Sequence, residues 1–505
     1  MESDVASQDD NVQNPLQEFL LYNQNVKFIE CIWVDYFGIT RVRKFTLARA
    51  AELSNTRGYI TLNPSSMACH LDGAPIQEIS SPGADRMRPD WTSLRVIGND
   101  PTRAAVMCWY IGKEIVSRNA LPAGLLQPQA PYEDEGAPAR CPRTALRRIL
   151  RLSHQAHGAH FQVGFELEFY LLDEPYDPVK HNPDPDDIEP PAAAAASDAV
   201  VPTTNNDNKP LPPPPPPPST QPQRDRKTYW ATASSLRGKH GDVVEACVDA
   251  LEECGIPVDH FQAQKCTQQF KISLGPQEAM RAADSVILAT EIIKRVALKH
   301  GLYATFFPTP FSNKPSSGLH THISIHGVSS SACSAYLAGT LFRLPLLAVF
   351  GMPNEVSFTR LGGAPDVSEW VSWGTENRNA AIRQIRPNHW ELRIVDATAN
   401  IYLVLATCIG AGLLGIKDKT PLLWEDCKGN PSTMDAFQRI ESGINTLLPD
   451  GLGVSLKILN SGFMGLDKVL GEGILGFYRL LRKADKHRQD QMGGREVEVF
   501  LAKEF

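Results

Sequence analysis

Gly164-Phe-Glu-Leu-Glu-Phe169 alternates apolar and acidic side chains with a period of two. Side chains of a strand point to its two faces in turn, so Glu166 and Glu168 share one face while Phe165, Leu167 and Phe169 pack behind them. Taken alone, such a pair is often no more than two solvated charges on an edge strand. Three further segments repeat the pattern: Ser317-Gly-Leu-His-Thr-His322, Asn377-Arg-Asn-Ala-Ala-Ile-Arg383 and Trp390-Glu-Leu-Arg393. His320 and His322 share a face, as do Glu391 and Arg393. Carboxylates with an imidazole suit a divalent cation, and arginines suit phosphate and carboxylate. Arg378 and Arg383 stand among Ala380, Ala381 and Ile382, which predicts an inward-facing anion site rather than a solvated face. Together the four segments read as a metal-dependent site for phosphoryl chemistry.

The rest of the chain sets the frame. With 505 residues, 42% apolar and 21% charged, the composition is that of a soluble globular protein of two or more domains. Lys and Arg number 50 against 57 Asp and Glu, a net charge of −7, so no nucleic-acid partner is expected. The ten cysteines are scattered without a CxxC pair and read as reduced core residues of a cytoplasmic protein, with no structural zinc. Residues 1–17 are polar and acidic and lack a signal peptide. The longest apolar run, Ile401 to Ile416, carries three glycines and falls short of the roughly 20 residues a membrane span needs, which predicts a buried helix and no membrane partner.

Residues 1–14 read as a disordered tail and 15–120 as a small α+β domain. Its first strand lies within Val26 to Val34, Asp35-Tyr-Phe-Gly38 turns the chain, and a second strand runs from Ile39 to Phe45. A Pro-, Gly- and Ala-rich linker covers 121–139, and the larger domain occupies 140–505. Within it, 173–226 hold an alanine run and seven consecutive prolines. That composition cannot bury a core and predicts a disordered or polyproline insertion, solvated filler or a docking segment for a proline-binding partner. Helical spacing returns from Asp242 to a cap at Gly255, 261–274 is strand-like, and an amphipathic helix over 277–300 stops at Gly301.

Gly164–Tyr170, His300-Gly-Leu-Tyr-Ala-Thr-Phe-Phe-Pro, Ser317–Ser324, Asn377–Arg383 and Glu391–Leu403 resemble, in order and spacing, the successive signatures of the glutamine synthetase family. The resemblance is to its class I branch, which includes fungal FluG-type and γ-glutamylamide-ligase-type proteins. It implies an α+β fold: an N-terminal β-grasp domain plus a catalytic domain with a curved antiparallel sheet. It also implies an ATP-dependent ligase that joins glutamate or another acid to an amine through an acyl phosphate, in a ring-shaped homo-oligomer. Glu166, His320 and Glu391 correspond to the ligands of the cation on the ATP phosphates, Mg2+ or Mn2+. Arg378, Arg383 and Ser324 correspond to nucleotide contacts. Arg360, Arg393, His322, Gly318 and Glu168 correspond to the substrate site, and Arg378 also to a catalytic arginine.

The departures are as informative as the matches. The family's other cation is held by three carboxylates, the first of them here Glu168. The other two fall in Gln264-Lys-Cys-Thr-Gln-Gln-Phe-Lys271, at Gln264 and Lys271, changing the formal charge by +1 and +2. A divalent ion beside an ammonium at roughly 4 Å is strongly repelled, so loss of this site is expected. Two readings of Lys271 stay open. It marks the decay of an inactive relative, or it is a catalytic fixed charge in the missing cation's place, paired with Glu168. The catalytic flap offers only Asp366, and His389 stands where an arginine is expected. The function is accordingly a carboxylate–amine ligase or, alternatively, a regulatory or scaffold protein that keeps the fold and binds nucleotide.

Overall fold

The computed structural model of the chain describes residues 14–56, 58–70, 72–76, 83–112, 140–181, 230–312, 314–361 and 367–505. The expected tail up to residue 13, the linker 121–139, the proline run and Asp366 lie outside the described residues.

The N-terminal part is a six-stranded sheet. Its strands are β1 (Phe28–Val34), β2 (Thr40–Thr46), β3 (Ile60–Leu62), β4 (Asp85–Pro89), β5 (Arg95–Ile97) and β6 (Asp100–Tyr110). β1 pairs antiparallel with β2 and parallel with β6, the parallel central pair that a β-grasp arrangement requires. The turn between β1 and β2 works because Asp35 accepts the backbone N–H of Phe37 and of Ile39 at 2.9 and 3.0 Å. Gly38 adopts φ 85° there, and a Cβ would stand 2.3 Å from the Thr398 carbonyl, so only glycine serves.

The larger sheet has eight strands: β7 (His160–Leu172), β8 (Val258–Ala263), β9 (Gln269–Glu278), β10 (Tyr303–Thr305), β11 (Leu319–His326), β12 (Trp373–Thr375), β13 (Ile382–Arg386) and β14 (His389–Leu392). Their order is β12-β13-β14-β11-β7-β9-β8, with β10 on the far end of β7. Only β12–β13 is parallel. Irregularities at Val163/Phe165, Val258/His260 and Gln384/Arg386 bend the sheet. Phe165, Leu167 and Phe169 are buried in the main core on its inner side.

Helices Ala279–Lys299, Ser330–Gly351 and Ile401–Asp418 complete that core. The last two are apolar and long enough to cross a bilayer, but 83% of each apolar window is buried inside the molecule. Their backbones touch: a Cβ on Gly339 would lie 2.5 Å from Gly415 Cα. The two sheets are tied by charge. Glu30 on β1 is fully buried and pairs with Lys44, Arg103 and Arg295, the last from the helix Ala279–Lys299. Arg143 pairs with Asp90 and Asp284, and Tyr402 also donates to Asp284. All ten cysteines are buried and unbridged.

Two expectations need correction. The strand-like stretch 261–274 is two strands, β8 and β9, joined by a reversal in which Gln268 takes φ 67°. The run Gln264-Lys-Cys-Thr-Gln268 breaks the apolar alternation and turns the chain, burying Gln264 and Cys266 on the way. The insertion expected from 173 is ordered as far as His181. Tyr176 packs tilted against Phe307 and edge-on against Phe311 there, ahead of a short helix Pro178–His181, because this stretch still has an aromatic anchor to bury.

Candidate active site

Strand register assembles the site. Across β9, β7, β11, β14 and β13, Lys271 lies opposite Glu168, Glu166 opposite His320, His322 opposite Glu391, and Glu391 opposite Arg383. Directly opposed residues share a face, so these side chains form one stripe over five strands. Residues of five strands, separated by up to 225 positions in the chain (166 to 391), thus meet without any loop having to place them.

At the centre, His320 Nδ1 is 3.3 Å from Glu166 Oε2 and 3.3 Å from Glu391 Oε1. The three potential ligand atoms all lie within 4.8 Å of one another. An ion with bonds of about 2.1 Å in octahedral geometry sets neighbouring donors roughly 3 Å apart, so this set fits a hard divalent cation. Burial works against the charge on Glu166, but hydrogen bonds from His320 and His322 and the charges of His320 and Lys271 prevail and hold its carboxyl far below the usual range. Burial also opposes ionisation of Glu391. Arg393, with His320 and His322, outweighs it and lowers that carboxyl to about 2. Both groups are therefore anionic at neutral pH.

The cations around them are intrinsic. Lys271 Nζ lies 2.9 Å from Glu166 Oε2, Arg383 reaches Glu391 Oε2 at 3.0 Å, and Arg393 pairs with Glu391 Oε1. Three carboxylates, Glu166, Glu168 and Glu391, therefore face three fixed cations. Buried charge demands this pairing, because desolvation of an uncompensated ion costs several kcal/mol.

The neighbouring corner is different. Glu168 accepts Gln264 Nε2 and the Gly318 N–H, each at 2.8 Å. Gln264 Oε1 in turn accepts the indole N–H of Trp230 at 2.8 Å. The expected partner of Lys271 was Glu168, and the structure corrects this. The ammonium reaches diagonally to Glu166, because Gln264 and Gly318 already satisfy Glu168. An ammonium cannot ligate a cation, and Gln264 turns its NH2 group towards Glu168 while Trp230 holds its oxygen, so the residues at this corner do not fit a second divalent ion.

The remaining expected residues divide. His322 lies 3.5 Å from Glu166 Oε1 by Nε2 and 3.0 Å from His389 Nε2 by Nδ1. Burial, and then the charge of His322, lowers His389 to about 4, so it is neutral and able to accept that bond. Gly318 and Arg360 crowd together: a Cβ on Gly318 would stand 2.7 Å from the Arg360 guanidinium and 2.9 Å from His320 Nε2. Arg360 is buried and donates to the carbonyls of Arg393 and Ile394. Ser324 sits farther along β11, opposite Gln162 and His389. Arg383 also pairs with Glu376. Arg378, expected to face inward, is exposed and lies over the Trp230 ring at 4.9 Å. Asn377 takes the inward position instead, donating to the carbonyls of Cys427 and Gly429, and the next residue must turn out.

Sequence reasoning missed Trp230 and Glu376. Trp230 follows directly on the proline-rich stretch, and nothing in its neighbourhood points to a site. Only the fold brings its indole to Gln264.

Known proteins resemble the chain over much of its length. The family model "Glutamine synthetase, catalytic domain" matches residues 139–499. Protein fluG of Emericella nidulans is 26% identical over 97% of this chain and 50% of its own length. The γ-glutamylpolyamine synthetase GlnA3 of Streptomyces coelicolor is 25% identical over 85% of this chain and 83% of its own. A glutamine synthetase of Pyrococcus horikoshii is 36% identical over 48% and 56%. The chain thus spans about half the length of several curated relatives it matches. Among solved structures, a GmaS/ADP complex aligns with a TM-score of 0.70 at 19% identity, covering 95% of this chain and 97% of that one.

Proposed function

Because the chain belongs to the glutamine synthetase family, we propose that it is an ATP-dependent carboxylate–amine ligase forming a γ-glutamyl or related amide. The observation that carries this reading is the convergence of Glu166, His320 and Glu391 on one sheet face, with ligand atoms within 4.8 Å. Those three residues would hold Mg2+ or Mn2+. A cation bound there supplies charge that neutralises phosphate oxygens during transfer.

The residues of the chain do the rest. Arg383, Ser324 and Arg378 bind the nucleotide, Arg378 from the rim beside Trp230 and also next to the transferring group. Arg360, Arg393, His322, Gly318 and Glu168 shape the pocket for the acid. An oxygen of the acid bonds to the γ-phosphorus as the bridging P–O bond breaks and ADP leaves. The amine nitrogen then attacks the acyl carbon, the C–O bond to phosphate breaks, and the nitrogen yields its proton to a carboxylate, for which Asp366 is the candidate. With Gln264 and Lys271 in place of acidic residues, the corner beside Glu168 does not attract ammonium ion, and this supports an amine larger than ammonia.

Assembly of the chain into a ring belongs to the same proposal. It is supported by the exposed apolar side chains Leu423, Phe437 and Ile440, and mass photometry tests it. So do a cytoplasmic location and a proline-binding partner for the insertion. A second reading, a nucleotide-binding regulator without turnover, is favoured by one observation only, the amide on Glu168 and the ammonium on Glu166. Phosphate release from ATP with Mg2+ or Mn2+, glutamate and a panel of amines decides between them. Amine-dependent release supports the ligase. ADP or ATP binding with no release for any acid–amine pair leaves the regulator.

A further inference from the structure

Among the described residues, Lys271 is the one lysine in the buried class. Its side chain is 9% exposed, and its ammonium lies 2.9 Å from a carboxylate oxygen that also faces His320. The position is fixed by register, since β9 places Lys271 opposite Glu168 on the stripe. The carboxylate opposite it is closed by uncharged donors: Gln264 and the Gly318 N–H each fill one oxygen of Glu168, and Trp230 holds Gln264 in turn. Among the described residues, Glu166, His320 and Glu391 form the one group of three or more that could hold an ion.

We infer that Lys271 is a built-in cation of this centre, standing where a second divalent ion would otherwise sit, so that each active site takes a single exchangeable divalent cation. The charge balance supports this. A dication on two carboxylates is neutral in sum, whereas glutamine and lysine in their place sum to +1. The ammonium and the amide therefore replace the ion together with its two ligands at a cost of a single unit of charge, and no carboxylate is stranded. The hydrogen bonding argues against random decay, because loss of the ligands alone would leave the half-buried Glu168 without partners, whereas here both its oxygens are bonded. A fixed ammonium cannot be chelated or exchanged. The position filled by the Lys271 ammonium thus keeps its positive charge whatever the supply of metal, and only the ion held by Glu166, His320 and Glu391 depends on it.

The inference rests on the ligase reading for what the charge does, but the number of ions bound does not. The test is the count of Mn2+ bound to the full chain without nucleotide, by equilibrium dialysis with electron paramagnetic resonance of free ion. One ion per chain is expected, rising to two in the folded double variant Gln264→Glu/Lys271→Glu. Lys271→Met, which keeps the stem and removes the charge, should bind its one ion on the order of tenfold more tightly, a conservative figure for deleting a like charge a few ångströms away. Two ions on the unaltered protein, none at all, an unchanged count in the folded double variant, or an unchanged affinity in Lys271→Met would each overturn it. Should the double variant not fold, the methionine variant decides alone. A count of one without ATP turnover sinks the ligase reading and leaves this inference standing.

Discussion

Glu166 and Glu168 leave the same strand on the same face, two residues apart, and meet opposite surroundings. Around Glu166 stand an imidazole, an ammonium and, through His320, a second carboxylate. Around Glu168 stand an amide and a backbone N–H. The difference comes from the flanking strands. β11 and β14 bring His320 and Glu391 to the first corner, where Lys271 also reaches from β9, while the β8–β9 reversal brings Gln264 to the second. A carboxylate on a sheet is thus a cation ligand or a structural acceptor according to what its neighbours offer, and its own identity does not decide which.

The largest expected effect comes from the first corner. Glu391→Ala should weaken Mn2+ binding at least about 100-fold, since loss even of outer partners costs 10- to 100-fold, and should strand Arg383 and Arg393. Glu168→Gln, by contrast, should leave one ion bound. Dialysis of both variants checks this, and equal losses would erase the distinction between the corners.

Gly318→Ala sharpens the boundary between them. Its Cβ would press on the Arg360 guanidinium and the His320 ring. The unfolding free energy should fall by about 1–3 kcal/mol, and cation affinity should fall with it because His320 must shift. Unchanged affinity in a folded variant would mean that His320 is not a ligand.

Glu30 is the control outside both corners: a buried carboxylate with three basic partners and no imidazole. Burial works against its charge, but Arg295 and then Lys44 prevail and lower its pKa below the ordinary 4.5. A lowered carboxyl stabilises the fold above its unfolded pKa, and that stabilisation is lost as the pH falls through the folded one. Glu30→Gln should cost about 2 kcal/mol at neutral pH, with no change in ion count. The penalty should shrink in urea titrations carried from pH 7 to below 4.5. A penalty that does not vary with pH would show that its charge is not what joins the sheets.

Trp230→Phe should have the smallest effect. Losing one indole hydrogen bond to Gln264 changes stability by about 1 kcal/mol and leaves the ion count at one. A second ion appearing in this variant would show that Trp230, through Gln264, keeps the Glu168 corner closed.

The sequence carried much of this. Alternation at 164–169, 319–325 and 390–393 marks strands with one apolar face, and the strands lie there. Period two puts Glu166, His320 and Glu391 each on a defined strand face, and the family resemblance groups the three. Arg378 was misplaced because alternation weakens in the turn before β13, where the Asn377 side chain takes the buried slot. The ordered stretch 173–181 was misread because composition averages over a window, whereas Tyr176 needs only a local pocket beside Phe307.

What the chain dictates unaided, then, is the set of strands, their inward faces and the residue types on them, because propensity and alternation act between near neighbours. Which carboxylate meets the ammonium is not written in that pattern. Lys271 lies opposite one glutamate and bonds the other. That choice follows from strand register, from the reversal that aims Gln264 at Glu168, and from the need of every buried charge to find a partner, and these act only once the sheet has closed.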